Sequence, residues 1–591
     1  MFWLPTDSQR KLKRSGLFRH SLRHGAFCAA LGVLLLTGCS TPAPPKQMWT
    51  APAARAAYGE HGMVASVDPV ATAAGVEVLK QGGNAIDAAV AVALTLGVVN
   101  GYNSGIGGGC FMLIQCADGS AVAIDGREMA PAAASRDMFV RNGKADTGLS
   151  QMGALASGVP GALAAYDYAL KQFGRKSLKE LILPAAEIAE RGFKVDSHYA
   201  GSLRSAQKDF ARFPSSCAAF LKPDGSTYQE GDVLRQPDLA ATYRNIAAQG
   251  ADWFYRGSFG PAVESWMKQN GGIMTAADLR NYHIALREPV TTRYRGYELL
   301  AFPPPSSGGV HVAQILNILE HYQLAAMDQA TRAHVIAEAM KLAFADRAFW
   351  LGDPDQVRVP HGLVDKSYAA TLAQKIDLKR ATPVSGHGLP PDWAGDVFKK
   401  HTTHFSVADA QGNWVACTAT VNTGFGSKVV IPGTGVVMNN QMDDFSIQPG
   451  VTNFFGLIGA EANAVAPGKR PLSSMSPTIV LKNGRPVLAL GAAGGPTIIS
   501  QVVLALVNML DLGMSPEMAI AQPRWHHQWS PDEIVVEKSM PAELRAALAE
   551  RGHKLKVNSS MGVTQIVGRT PDGKRFVGTA DPRALGTAEG F

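Results

Sequence analysis

A threonine hydroxyl is a poor nucleophile unless a base stands beside it, and the nearest base is that residue's own α-amino group, with a pKa of about 8 when free. This solution requires a cut that makes the threonine N-terminal. Thr402 is placed for one. Between about Ala381 and His401 the hydrophobic periodicity stops and Pro, Gly and polar residues dominate, and then TTHFSVAD and WVACTATVN alternate as two strands about the turn AQGN. A loose, cuttable segment thus meets a strand headed by threonine. Residue type alone leaves a second reading open, because β-branched pairs such as Thr402-Thr403 are good strand formers in their own right.

Other chemistries find no foothold. No His or Cys cluster has zinc spacing, HExxH is absent, and there is no Walker A, GxGxxG or GxSxG pattern, so neither a metal nor another cofactor is expected. Cys110 and Cys116 flank the strand-like run CFMLIQC, roughly 20 Å apart at ~3.3 Å per residue, so they are not expected to bridge.

The elements that would position Thr402 belong to a chain of 591 residues, 46% hydrophobic and 18% charged, with ample material for a large core. Length alone suggests three or four domains, and a single layered sandwich with helical insertions fits equally. The folded body is expected to begin near Gly62. TAAGVEVLKQGGNAIDAAVAVALTLGVV predicts a helix closed at Gly82-Gly83 and a second opened by Asn84 as N-cap. CFMLIQCADG and AVAIDGRE read as a strand and its return. Residues 158–353 are mostly helical in pattern, as in LKELILPAAEIAERG and HVIAEAMKLAFADRAFW. Beyond AQGN come short strands (VVIPGTGVVM, SPTIVLKNGRPVLALG, IVVEKS, GVTQIVG) and one long apolar helix, IISQVVLALVNMLDLG.

The net charge of +7 is concentrated at the N-terminus, where Arg10, Lys11, Lys13, Arg14, Arg19 and Arg23 face only Asp7. The remainder is near neutral, so no nucleic-acid partner is expected. Residues 1–38 read as an export signal: a basic stretch, an apolar run from Ala26 to Leu36 too short to span a bilayer, and a small-residue exit. Leu36-Thr37-Gly38-Cys39 resembles a bacterial lipobox in which Cys39 receives lipid, with residues 39–61 as a tether that opens on the proline-rich STPAPPK. An ordinary cleaved signal is the other reading. Ser40 after the cysteine resembles the pattern sorted to the outer membrane, so the expected location is the periplasm, held to the membrane by lipid alone.

TTHFSVADAQGN at Thr402, NNQMDDFS at Asn439 and KRPLSSMSPTIV at Lys469 resemble, closely and in order, the small subunit of γ-glutamyltransferases, which are N-terminal nucleophile hydrolases. GGNAIDAAVA, SGIGGG, DGREMAP, SGVPG, PPPSSGG and KLAFADR extend the resemblance upstream, so that it runs from about Gly62 to Phe591. It implies a four-layer αββα sandwich with an α-rich insertion, built from a large fragment, residues 62–401, and a small one, residues 402–591. It implies too that Thr402 attacks a γ-glutamyl amide such as that of glutathione, and that water or an amino acid or dipeptide acceptor resolves the γ-glutamyl-enzyme.

The same resemblance supplies expected roles. Thr420 hydrogen-bonds the nucleophile, and the backbone amides of Gly494 and Gly495 form the oxyanion hole. Arg127, Ser473 and Ser474 hold the substrate α-carboxylate, whereas Asn422, Gln441 and Asp444 hold its α-ammonium. Asp443 is expected to be structural. Singly, Arg127 reads as a solvated charge, Asp444 as a turn residue, the serines as a loop and the glycine pair as a turn. PGVTNFFGLIGAEANAV resembles the family's lid loop, with Phe455 where many members have tyrosine, which removes one lid hydrogen bond.

Two alternatives are weighed against this reading. A glutaryl or cephalosporin acylase on the same fold would not need the ammonium contacts, and a non-catalytic solute-binding lipoprotein would stay a single uncut chain. The anchor is tested by Cys39→Ser, which should release the protein or leave an unprocessed precursor; a mature N-terminus beyond Cys39 would rule the lipid out.

Overall fold

The computed structural model describes residues 54–392 and 405–591. Thr402 and Cys39, with the proposed signal and most of the tether, lie outside them. Fourteen strands, β1 to β14, make two seven-stranded sheets whose strand pairs are all antiparallel. In chain order they are Ala56–Gly59, Gly62–Ser66, Gly109–Gln115, Ala121–Gly126, Ala285–Arg287, Val290–Tyr294, Tyr297–Ala301, Ser406–Asp409, Trp414–Thr420, Thr478–Lys482, Arg485–Ala493, Val563–Arg569, Phe576–Ala580 and Thr587–Gly590. The first sheet runs β1-β13-β12-β11-β10-β7-β6 and the second β14-β2-β8-β9-β3-β4-β5.

Alternation along the strands decides what each face meets. In β9, Trp414 and Ala416 turn toward the opposite sheet, where they join Met63, Leu113, Ala489 and Val567 in an apolar layer. Val415 and Cys417, one residue out of phase, turn outward onto helices. Those helices are α1 (Pro69–Lys80), α2 (Ala85–Val99) and α3 (Ala162–Phe173), with α4 (Leu178–Arg191) packed on α2 and α5 (Pro237–Gln249) on α4. Across the molecule, α6 (Gly308–Leu319) and α8 (Thr497–Leu510) cover the outer face of the first sheet, and α7 (Gln329–Trp350) packs on α6. This is the αββα sandwich. Asn84 caps α2 as expected, in a capping box with Asp87.

Two boundaries differ from the sequence reading. Residues 56–59, expected within the tether, form β1 and pair with β13, an edge addition too short to show a pattern. VVIPGTGVVM is not a strand: only an isolated bridge joins Val430 to Val437, because Pro432 has no N–H to donate and Gly433 and Gly435 turn the chain through positive φ. The two sides of position 402 are interleaved rather than adjacent. In the second sheet β8 lies against β2 and β9 against β3; in the first, β13 pairs with β1 and β10 with β7.

A buried charge cluster locks this end of the second sheet. Asp125, the penultimate residue of β4, accepts from Arg287 at 2.8 and 3.0 Å and from the backbone N–H of Arg127 at 2.8 Å, and Arg470 lies 3.5 Å away. Burial pushes the Asp125 carboxyl up, but Arg470 and Arg287 outweigh it and hold it below the ordinary value. Asp125→Ala should therefore leave two buried guanidiniums short of a partner and cost about 3–5 kcal/mol, read as a lower unfolding midpoint. Because the folded-state pKa is depressed, the parent's advantage is full above the ordinary carboxyl value of 3.8 and fades as the pH falls below it.

Candidate active site

At one end of the sandwich a cavity of about 270 Å³ is lined by Arg127, Thr420, Asn422, Gln441, Asp444, Ser473, Ser474, Gly494 and Gly495. These are all the expected site residues that the described chain contains; eight lie within residues 420–495, and Arg127 is brought to them from far earlier in the chain. Arg127 leaves the end of β4 fully buried, with its backbone held by Asp125 and its Nε donating to the Pro471 carbonyl at 3.0 Å. Its Nη2 pairs with Asp444 Oδ2 at 2.6 Å, and Gln441 Nε2 donates to the same oxygen at 2.8 Å. The residues expected to divide a zwitterion between them therefore already touch. Behind them, Glu128 lies 3.5 Å from Arg127 Nη1, and burial raises its carboxyl to about 7 against the pull of Arg127.

Thr420 ends β9. Asn422 follows at φ +81°, a left-handed conformation that asparagine tolerates, and its N–H donates to Thr420 Oγ1 at 2.8 Å. Its side-chain amide donates to the Asn440 carbonyl at 3.0 Å, which ties it to the short helical turn carrying Gln441 and Asp444. Gln441 Oε1 is buried with no hydrogen-bond partner, an acceptor left for something in the cavity.

Gly494 and Gly495 sit at φ +139° and +60°, just before Pro496 and the N-terminus of α8, the end of a helix that carries its positive partial charge. Thr497 Oγ1 donates to the Gly494 carbonyl at 2.8 Å and Gln501 Nε2 to that of Ala493 at 3.1 Å, so both carbonyls are held by protein donors. A Cβ at Gly495 would lie 2.6 Å from the Phe455 ring, which packs directly on this turn. The segment bearing Phe455 is tied down by Asp443, which accepts from Phe454 N–H at 2.8 Å and from Ser150 Oγ at 2.6 Å. That is the structural part expected of Asp443.

Sequence reasoning missed Arg347. It lines the cavity from α7, donates from Nε to Ser307 Oγ at 2.9 Å and from Nη2 to Ser474 Oγ at 3.1 Å, and no carboxylate pairs with it among the described residues. Burial lowers its pKa to about 10 and the charge of Asp444 opposes the shift. The signal lay in KLAFADR, where an arginine falls on a helix buried almost all round. Spacing also gave no hint that His334, Glu338 and His553 meet away from the cavity. There His334 Nδ1 and His553 Nε2 hydrogen-bond each other at 2.7 Å, and the Lys341 ammonium, 2.8 Å from Glu338, already supplies a cation.

With two buried guanidiniums, one largely buried carboxylate, an orphan carbonyl oxygen and serine hydroxyls, the cavity suits a small group carrying both a carboxylate and an ammonium.

Comparison with known proteins agrees with this geometry. Residues 71–591 match the family model described as gamma-glutamyltranspeptidase. The chain is 42% identical to a glutathione hydrolase proenzyme of Escherichia coli, over 95% of this chain and 98% of the relative. It is 41% identical to an acylase proenzyme of a Pseudomonas species, over 90% and 94%. Among solved structures, a cephalosporin acylase from Bacillus halodurans superposes with a TM-score of 0.81 at 30% identity, covering 94% of this chain and 99% of the other. The chain belongs to the gamma-glutamyltranspeptidase family.

Proposed function

We propose that this protein is a glutathione hydrolase and γ-glutamyltransferase that cuts itself before Thr402 and uses the new N-terminal threonine as nucleophile. The observation that carries the reading is the convergence of Arg127, Asn422, Gln441, Asp444, Ser473 and Ser474 on one cavity beside Thr420 and the Gly494-Gly495 turn. Strand register supports it: Ser406 pairs with Ala416, and the Phe405 carbonyl accepts from Cys417 N–H.

In this mechanism the α-amino group of Thr402 takes the proton from its own Oγ as Oγ attacks the γ-carbonyl carbon. The amides of Gly494 and Gly495 receive the developing oxyanion, an arrangement worth about 3–4 kcal/mol per donor in other enzymes. The proton passes to the leaving amine, and water or an acceptor amine then releases the glutamyl group. Arg127, helped by Arg347 through Ser474, binds the α-carboxylate; the α-ammonium lies against Asp444, Gln441 Oε1 and Asn422. An acylase substrate without an ammonium would leave that side of the cavity unanswered. We also place the enzyme in the periplasm, on the outer membrane through lipid at Cys39.

Two outcomes test the reading. Wild type should separate on a denaturing gel into two fragments, the smaller beginning at Thr402, and Thr402→Ala should stay one inactive chain; full activity from an uncut chain would overturn the mechanism. The pocket assignment is tested with γ-glutamyl and glutaryl p-nitroanilides. Arg127→Ala should lower kcat/KM on both by ~30-fold or more, since each offers a carboxylate. Asp444→Asn, which can still accept from Arg127, should lower it on the γ-glutamyl substrate alone; equal losses on both would remove Asp444 from the ammonium site.

A further inference from the structure

Two strands that end at the active-site cavity begin at another. β9 runs from Trp414 to Thr420, and β11 from Arg485 to Ala493, next to Gly494. Trp414 and Arg485 line a cavity of about 840 Å³ at the opposite end of the sandwich, bounded by the turn between β10 and β11, the turn between β12 and β13, and the segment that leaves α8. Its floor is apolar. Leu488 and Val577 come to it from the first sheet, Met509, Leu510 and Met514 from α8 and its exit, and Trp414 from the second sheet. These groups are recessed, with Trp414 1%, Val577 5% and Leu488 8% exposed. An apolar surface that enters a bilayer has to protrude, so this shape receives an apolar chain and does not insert as one.

The rim carries an excess of positive charge: Lys482, Arg485 and Arg569 stand against Glu517 among the residues that line the cavity. No carboxylate pairs with any of the three cations among the described residues. Lys482 lies 5.0 Å from the centre of the Tyr297 ring and Arg569 3.8 Å from that of Phe576, contacts that position both cations and leave N–H donors for an anion. Arg569 is half-buried, and that burial lowers its pKa, so an anion beside it would restore what desolvation removes. Ser515 Oγ, also on the wall, is buried with no hydrogen-bond partner. A small hydrophilic anion would leave the apolar floor uncovered, and a neutral lipid would leave the rim cations unanswered.

We infer that this cavity binds a single-tailed anionic amphiphile of the fatty-acid class, with its tail along the apolar floor and its carboxylate at the rim among Lys482, Arg485 and Arg569. The inference is independent of the reading of Thr402, because the cavity shares no lining residue with the active site.

The experiment titrates decanoate into the whole protein by calorimetry, below the concentration at which decanoate forms micelles, with acetate and 1-decanol as the separate halves of the ligand. Wild type should bind decanoate at a single site, and acetate and decanol each more weakly by about tenfold or more. Arg485→Gln combined with Arg569→Gln should weaken decanoate by about tenfold and leave decanol unchanged, since only contacts to the charge are lost. Met514→Trp, which narrows the floor without touching the rim cations, should weaken decanoate and decanol alike. Arg485 is exposed and Arg569 and Met514 are half-buried, so the fold should tolerate each change. Failure of the wild type to bind decanoate, the same decanoate affinity in wild type and both variants, or binding of phosphatidylglycerol vesicles in place of decanoate would overturn the inference.

Discussion

A guanidinium sealed from water must be answered by acceptors, and much of the first cavity is arranged around that requirement at Arg127. Its backbone is fixed by Asp125, which is itself held by Arg287 and Arg470; its side chain is met by Asp444, Glu128 and the Pro471 carbonyl. Asp444 draws in Gln441, and the neighbouring Asp443 holds the segment that lays Phe455 on the glycine turn. A single buried charge thus sets the positions of groups on several walls of the cavity. Under the proposed function, substrate binding would be an exchange of partners within an ion pair already formed, which costs less than desolvating separate charges.

Much of this was legible in the sequence because it is written in local rules. Asn84 signals a helix start, WVACTAT alternates as a strand must, and the long motifs at Thr402, Asn439 and Lys469 carry the family likeness. What could not be read is set by tertiary contact. The strand at Ala56–Gly59 exists only because β13 offers it an edge. Arg347 looks like one more charge on a charged helix until the burial of α7 places it in the cavity wall. Gln565 sits in an ordinary strand pattern, and nothing in that pattern shows that its buried amide has no hydrogen-bond partner. The contact between Arg127 and Asp444 spans more than three hundred residues, and no spacing rule reaches so far.

Phe455 shows how a departure from the family pattern can be absorbed. Its ring packs against Gly495, so the lid segment is held by apolar contact and by the bonds of Asp443 and Asn453 to the backbone around it. The segment is held over the cavity by shape and backbone bonds, with no need of a ring hydroxyl.

The interleaving of strands from the two sides of position 402 fixes an order of events. Neither portion of the chain contains a complete sheet: β8 lies against β2, β9 against β3 and β10 against β7, and β1 adds to the edge at β13. The portions are therefore not modules that fold separately and dock. The uncut chain must first close its long loops and lay every strand beside its neighbour, with the connecting segment limiting the conformations to be searched. Once that is done the connection is no longer needed for the architecture, and severing it releases nothing. Two separated fragments would have to find the same pairings as a bimolecular reaction between incomplete, edge-exposed sheets, a route on which aggregation competes. Under the proposed self-cleavage, folding before cutting is thus a topological requirement, and a cut made after assembly would leave a product that cannot readily return to its starting point.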